Sequence, residues 1–591
     1  MTNLEIALLL RNVAASYSIQ NDAKYRFQIL AYQKAADAIE SSTSEVKDLI
    51  KDNTLDDLPG IGQSMKTYLE ELITKGKVSH FESILKEVPN AVFPLLQIPS
   101  FGPKKAYKLV SHFHLNDEKT VIDELYALAN QDKIASLEGF GEKSQADIKR
   151  AIEEFRQGVD KSSRMALPFA QELADKMVTY LKKSPHVLEV YPLGSLRRQK
   201  ETIGDVDIAV ATDHPQEVLT YFTQYPYKDR IIEKGDASAS LLISGGKHID
   251  LMVQPPQRFG SLLQHFSGSK EHNVHLRELA LKKGLSLSEY GIKPKGAAND
   301  EMQPYSTEES FYKAIGLAWI PPEMREDTGE IELAAKNQLP ELVTLKDIKG
   351  DFHLHSDYPI EPSHDLGVDS MEKMIEKAIE LKYDYLGFSE HNPSVSKHSE
   401  KEINILLEKR GNKIEQLRDK YKKSIRIFSL LETDILANGN IALSNSNLDY
   451  LDAILVSIHS SFSMTKTEMT KRIIKGLTHP KAKIISHPTA RLINQRPMID
   501  VDWKEIFAFC KKNNKALEIN ASPFRLDLPD TLVRQAVDMD VKLFINTDSH
   551  ATLQMELMQF GVSVARRGWA KPHDILNAQE YNILNNWFTK P

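Results

Sequence analysis

The stretch GSLRRQKETIGDVDIAV, Gly194 to Val210, decides how the chain is read. Its end, GDVDIAV, alternates apolar and β-branched residues with others behind a glycine, the pattern of a half-buried strand. Successive strand side chains point to opposite faces, so Val206, Ile208 and Val210 are expected to face a core while Asp205 and Asp207 lie side by side on the other face. Two like charges so placed repel, and one stays protonated unless a cation joins them. KHIDLMVQ repeats the theme: Ile249, Leu251 and Val253 alternate with His248, Asp250 and Met252. If the two strands are neighbours, Asp205, Asp207 and Asp250 converge, and three hard oxygen donors suit Mg²⁺ or Mn²⁺.

Upstream, Gly194 and Ser195 stand where a strand would meet a loop. Small residues there let backbone N–H groups reach phosphate oxygens, and Arg197 and Arg198 supply planar guanidinium forks. Carboxylates for two metals beside a basic cradle are what in-line phosphoryl or nucleotidyl transfer requires, because catalysis there is mostly positioning and charge neutralisation.

With 591 residues the chain is too long for one core. Its 41% hydrophobic and 27% charged residues are ordinary for globular domains and exclude global disorder. A single cysteine, Cys510, excludes an intramolecular disulfide framework and Cys-based zinc knuckles, and it fits a reducing compartment. The first residues, MTNLEIALLLRNVAAS, read as a surface helix and not as a signal peptide or membrane span. A net charge of −7 excludes a uniformly basic protein but not local basic grooves.

Three segments share a pattern: LPGIG at 58, IPSFG at 98 and LEGFG at 137, a spacing of 40 and then 39 residues. Each ends in a Gly turn that runs into a helix-like stretch, where exposed backbone N–H groups and the helix dipole accept a phosphate without a Cβ in the way. Gly60, Gly62, Gly102, Gly139 and Gly141, with Lys104 and Lys105, are therefore candidate DNA-backbone contacts, which position DNA without reading its sequence.

GSLRRQKETIGDVDIAV, HIDLMVQ and HFSGSKEHNVHLRELALKKG together resemble the palm and fingers of family X DNA polymerases, and the repeats resemble that family's helix-hairpin-helix domains, over roughly residues 1 to 320. The resemblance implies that Asp205 and Asp207 bind both metals and that Asp250 binds the catalytic one and accepts the primer 3′-OH proton. It implies that Ser195, Arg198 and Gly204, beside Gly194, hold the incoming triphosphate. Phe266 and Gly268 would line the sugar pocket, Asn273 would meet the nascent pair, and Arg277 the template strand. Three positions depart from the family pattern. His265 stands where Tyr is usual, which bears on sugar discrimination, and Met252 stands where an Arg is common. Tyr68 replaces the lysine of the 5′-deoxyribose-phosphate lyases, and a phenol cannot form a Schiff base, so no strong lyase activity is expected by that route.

The stretch from Ala318 to about 345 is Pro- and Glu-rich and reads as a linker. Beyond it, apolar runs repeatedly end in metal-capable groups: DFHLHSD, YDYLGFSEH, IRIFSLLETD, LDAILVSIHSS, KAKIISHP, KALEINAS and VKLFINTDSH. Helix-like stretches separate most of them, which indicates a parallel α/β barrel or sheet with polar groups gathered at the carboxyl ends of the strands. The candidate ligands are His353, His355, Asp365, His391, Glu432, His459, His487, Asp548 and His550. Mixed imidazole and carboxylate donors favour Zn²⁺, Mn²⁺ or Fe, and a multi-metal cluster on a barrel lip implies hydrolysis at phosphorus. HLHSD, EH, SIHSS, SHP and TDSH resemble the PHP (polymerase and histidinol phosphatase) domain over roughly residues 348 to 575. That resemblance implies a Mn²⁺ or Zn²⁺ cluster and 3′-5′ exonuclease work, with Glu518 behind the ligands.

The expected architecture is multidomain: an α-helical helix-hairpin-helix region, an α+β nucleotidyltransferase palm with fingers, and a C-terminal TIM-like α/β barrel. Its divisions are 1–85 and 86–160 (helical, DNA-binding), 161–258 (palm), 259–320 (nascent-pair-binding subdomain), 321–347 (linker), 348–575 (PHP) and 576–591 (tail). The expected function is DNA repair, joining template-directed gap filling to 3′-end removal. Its partners are gapped or primer-template DNA and deoxynucleoside triphosphates, with no membrane, and the chain is expected to be a cytoplasmic, nucleoid-associated monomer. Two rival readings are a template-independent nucleotidyltransferase fused to a phosphoesterase, and a DNA-end-binding scaffold with a structural metal barrel.

Overall fold

The structure, a computed structural model, describes residues 1–591 except 2, 23, 41–45, 52–54, 56–60, 99–100, 157–163, 244–246 and 591. The N-terminal part is helical and has two separate apolar cores. Ile6, Leu10, Val13, Ala35, Ile39, Leu69 and Phe81 fill the first, and Leu95, Ile98, Leu109, Val110, Leu125 and Ile148 the second. All three Gly-turn helices are present: Gln63–Lys75, Pro103–Phe113 and Glu142–Arg156.

A five-stranded sheet follows, in the spatial order Glu189–Pro192, Val206–Ala211, Lys247–Gln254, Ser238–Ile243, Lys228–Lys234. Only the central pair is parallel, and its register sets Asp207 directly opposite Asp250. Helices Leu167–Leu181 and Pro215–Thr223 supply Leu173, Met177, Leu219 and Phe222 to a core with Val206, Ile208, Val210, Leu241 and Leu251. Helix Phe259–Ser267 covers the opposite face, where Leu193, Ala209, Ala211, Phe259 and Leu262 pack together. Met252 lies against this apolar cluster, so the position that commonly carries an arginine serves packing here.

Helices Lys270–Lys282 and Glu308–Ala314 build the next subdomain around Leu276, Ile292, Phe311 and Tyr312. The segment 321–347, expected to be a linker, is instead packed into this core. Met324, Ile331, Ala334 and Leu342 join it, helix Glu330–Ala335 forms within it, and Arg325 and Glu330 are fully buried. Polar composition misled here because both groups are satisfied inside the protein, Arg325 by Glu308 and Glu330 by His272 and the Asp327 and Thr328 N–H groups.

The C-terminal part holds two parallel sheets in strict chain order. One comprises Gly350–Leu354, Tyr385–Phe388 and Arg426–Ser429, and the other Glu432–Asp434, Ile454–Ser457, Ala482–Ile485, Ala516–Asn520 and Lys542–Asn546. The parallel bridge His391↔Glu432, beyond the middle strand of the first sheet, links the two sheets, and Leu354↔Ser549 joins the first strand to the last and closes the ring. Helices such as Met371–Glu380 and Trp503–Lys512 alternate with the strands, each started by a capping side chain, Ser370 and Asp502. The expected tail is also ordered. Helix Tyr581–Thr589 sends Leu584, Trp587 and Phe588 against Phe352, Phe428 and Phe544 inside the ring. No helix among the described residues is long and apolar enough to cross a membrane.

Candidate functional site

Two centres stand out. In the first, the strand begins at Val206, so Asp205 lies in the bend ahead of it, exposed, while Asp207 and Asp250 face each other across the parallel pair. Burial pushes the Asp207 carboxyl up to about 7, Asp250 and Asp205 add to this, and Arg198 opposes it. Ser240 Oγ donates to Asp250 Oδ1. Asp207 and Asp250 side by side, with Asp205 and the Arg198 guanidinium near enough to act on Asp207, offer hard oxygen donors of the kind divalent cations take.

Gly194 adopts φ +57° and opens the one-turn helix Gly194–Arg197; a Cβ here would stand 2.5 Å from Asp207 Oδ2, so glycine lets this turn approach the carboxylates. Arg198 donates from Nε to Glu326 Oε1 (3.0 Å) and from Nη1 to Ser267 O, beside Gly268. Arg197 points elsewhere. Its fork grips Glu308 (3.0 and 2.6 Å), and Arg325 donates to the same carboxylate at 2.7 Å. The sequence reading offered both arginines to phosphate, and the structure leaves only Arg198 facing the carboxylates. Burial works against the charged form of Glu308, but Arg325 and Arg197 outweigh it and hold the carboxyl at about 2.

Phe266 and His265 are in ring contact, and Asn273 is buried, donating from Nδ2 to His265 O and accepting from Gln264. Burial pushes the His265 imidazole down, with Glu289 opposing and Arg277 adding to it. Arg277 is exposed, and Gly204 lies against the Arg164 guanidinium.

The helical repeats show one recurring bond: Gly62, Gly102 and Gly141 each accept at O from the N–H four residues on, Lys66, Ala106 and Gln145. A Cβ on any of the three would meet nothing within 4 Å, so the fold itself does not need these glycines. Gly139 has φ +82° and does need its conformation. Lys104 pairs with Asp22, and Lys105 lies 5.0 Å over the Phe101 ring, where burial lowers its ammonium with Asp147 opposing. Gly60 falls outside the described residues. Tyr68 stacks on His80 at 5.1 Å and meets Phe81 edge-on, so the phenol serves packing.

The second centre gathers at the carboxyl ends of the ring strands around Glu432. His391 Nδ1 is 3.0 Å, His353 Nε2 3.2 Å and His355 Nε2 3.5 Å from Glu432 Oε2, while His487 Nε2 is 2.7 Å and His459 Nε2 3.2 Å from Oε1. Asp548 Oδ1 lies 3.5 and 3.4 Å from His353 and His355. Asp365 reaches in from its loop, 3.4 Å from His391 Nε2 and 3.7 Å from His550 Nε2. All nine expected positions thus meet in one pocket. His353 Nε2, both His355 nitrogens, His391 Nδ1, His487 Nδ1, His550 Nε2 and Glu432 Oε2 are buried without a hydrogen-bond partner among the described residues. Unpaired buried imidazoles around carboxylates fit a metal centre, and the groups His353–Glu432–His487, His353–His355–Asp548, His355–His391–His550 and His391–Glu432–His459 each bring donors within 4.8 Å.

Supporting carboxylates orient the imidazoles. Glu518 Oε1 takes His353 Nδ1 (2.7 Å), and Asp434 Oδ1 takes His459 Nδ1 (2.6 Å). Burial opposes charge on His353 and His391, yet Glu518, Asp548 and Glu432 raise the former well above its ordinary value, and Glu432 and Asp365 bring the latter to about 10. The sequence reading missed Asp434 and also His364, whose Nε2 lies 3.3 Å from Asp434 Oδ1. Their signal was present: Asp434 is two residues past Glu432 on one strand face, and His364 precedes Asp365.

A nucleotidyltransferase-type palm joined to a metal-binding barrel defines a two-centre enzyme of phosphate chemistry. Residues 1–78 match the helix-hairpin-helix domain family, 262–326 the DNA polymerase beta thumb and 351–522 the PHP domain. The chain is 33% identical over 588 residues, 98% of each sequence, to the DNA polymerase/3′-5′ exonuclease PolX of Bacillus subtilis (strain 168). It is 27% identical to DNA polymerase lambda of Arabidopsis thaliana, over 50% of this chain and 57% of that one. Against DNA polymerase lambda of Rattus norvegicus it is 25% identical, over 55% and 56%. The chain belongs to the bacterial PolX family of DNA polymerases, as its motifs predict.

Proposed function

We propose that this protein fills gaps in DNA by template-directed synthesis from deoxynucleoside triphosphates and removes 3′ ends in its PHP barrel, as a monomeric base-excision-repair enzyme working on nucleoid DNA in the cytoplasm. The observation that carries the reading is the pair of separate centres, Asp207 against Asp250 and the Glu432 cluster, in a chain of this family.

Asp205, Asp207 and Asp250 would hold Mg²⁺ or Mn²⁺, which when bound neutralises carboxylate and triphosphate charge. Ser195, Gly204 and Arg198 bind the triphosphate beside Gly194, Phe266 and Gly268 shape the sugar pocket, Asn273 meets the nascent pair and Arg277 the template strand. Asp250 Oδ1 is engaged by Ser240, which leaves Oδ2 to accept the primer 3′-OH proton. In the barrel, His353, His355, Asp365, His391, Glu432, His459, His487, Asp548 and His550 would hold a Mn²⁺ or Zn²⁺ cluster, which supplies an activated water and charge for phosphodiester hydrolysis. Glu518 and Asp434 keep two of the imidazoles in one tautomer and orientation. Gly62, Gly102 and Gly141, which the fold does not require, serve backbone N–H contacts to DNA phosphates, with Gly60, Gly139, Lys104 and Lys105 alongside. The corresponding division is 1–85 and 86–160 for DNA binding, 161–258 for the palm, 259–347 for the thumb with its packed strap, and 348–591 for the barrel.

The test is a cross-comparison on a one-nucleotide-gapped duplex and a duplex with a free 3′ end. Asp205→Ala abolishes synthesis and spares degradation, and His487→Ala does the reverse. Loss of both activities from either variant in a folded protein would refute the two-centre reading.

A further inference from the structure

Arg198 sits at a junction between the two catalytic parts. Glu326 Oε1 accepts from Arg198 Nε and from Arg567 Nη1, both at 3.0 Å, and Arg567 Nη1 also donates to the Arg198 carbonyl at 2.7 Å. Arg567 belongs to the last ring helix, Met558–Arg567. Its side chain is 3% exposed, and its Nε and Nη2 fork onto Asp530 Oδ2 at 2.7 and 2.6 Å. Lys200 Nζ stands 3.8 Å from the other oxygen of Glu326. The barrel grips the neighbouring residues as well: Ser563 donates to Gln199, Arg491 pairs with Glu201 and Asn494 donates to Arg164 O.

We propose that Arg567 is a positioning residue for nucleotidyl transfer: anchored in the barrel by Asp530, it fixes Glu326 and the Arg198 carbonyl, so that the Arg198 fork is held open toward the triphosphate. The inference rests on the reading of Arg198 as a triphosphate ligand. Nε and Nη1 of Arg198 are committed to Glu326 and Ser267, and no described group takes Nη2, the donor left for a phosphate oxygen. A free arginine loses considerable rotamer entropy on binding, whereas a fork already held on two sides loses little. Charge is arranged to match. Arg198, Lys200 and Arg567 face Glu326 and Asp530, three cations against two carboxylates, so the brace does not cancel the cradle's attraction for an anion. A contact that only cemented the parts together would depress both activities alike. A brace on the cradle acts on nucleotide affinity alone.

The test uses the full chain on the one-nucleotide-gapped duplex, varying the nucleotide. Arg567→Ala raises KM for the triphosphate about tenfold while kcat stays within about threefold and degradation of 3′ ends is unchanged. Arg567→Lys, which keeps the charge, restores part of the loss. Glu326→Gln, which leaves the Arg567–Asp530 fork in place, gives a similar rise, and the double variant is no worse than the poorer single one. If Arg198→Ala raises KM and Arg567→Ala does not, the positioning role is overturned while the reading of Arg198 stands. If Arg198→Ala leaves KM unchanged, both fall. Should Arg567→Ala fail to fold, Glu326→Gln decides, and an unchanged KM in that variant overturns the proposal.

Discussion

Asp207 keeps its charge only with help, because burial and two neighbouring carboxylates hold its carboxyl near 7. The folded value lies above the ordinary 3.8, so the proton favours the folded state, and without metal this group's contribution to stability declines as pH rises from about 4 to about 7. Asp207→Asn removes the charge at similar shape. It abolishes synthesis, and in chelator at pH 8 it melts a few degrees higher than the parent; an equal or lower melting temperature there would contradict the electrostatic account. The alternation of acids with apolar residues made Asp207 and Asp250 legible in the sequence, since a strand exposes one face and buries the other. Asp365 was legible as a candidate but not as a contact, because its loop crosses the ring mouth to reach His391 and His550. Arg197 was misread because nothing local distinguishes it from Arg198: its partner Glu308 stands 111 residues away.

At the scale of elements, the one-turn helix Gly194–Arg197 is pinned to the thumb through Glu308, shared by Arg197, Arg325 and the Trp319 indole at 3.3 Å. Glu308→Gln leaves two guanidinium groups without their counter-charge and destabilises the assembly by about 3 kcal/mol, read as a lower urea midpoint by tryptophan fluorescence. The pair is sensitive to acid: with a folded value of about 2 against an ordinary 4.5, its contribution is complete above about pH 4.5 and is lost as pH falls through 2. A parent and a Gln variant that respond identically to acid over that range would rule this out. The packed strap after Ile320 escaped sequence reading because Pro and Glu usually mark loops, whereas Glu330 is buried against the His272 imidazole at 2.6 Å. Helices and strands of the ring were readable, since each apolar run ended in a polar group and helix-like stretches separated most of the runs.

Across the whole molecule, the division into helical, palm and barrel regions was readable from repeats and motif order, while the bonds between regions were not, for they join residues hundreds of positions apart. Metal is expected to matter globally. Stripping the protein with chelator abolishes degradation and lowers the melting temperature of the barrel, and Mn²⁺ at a hundred times its Kd restores about 2.7 kcal/mol of stability. Asp205→Ala responds in the same way and His487→Ala responds less; calorimetry with and without Mn²⁺ reads the difference. The ring closes between its first strand and its last, where Leu354 bridges Ser549 and His353 and His355 meet Asp548. A protein being made on the ribosome therefore completes its synthetic carboxylates some 300 residues before the clasp of the ring emerges. A chain that ends before Asp548 lacks that clasp, so the cluster around Glu432 is complete only once the last strand of the ring has been made.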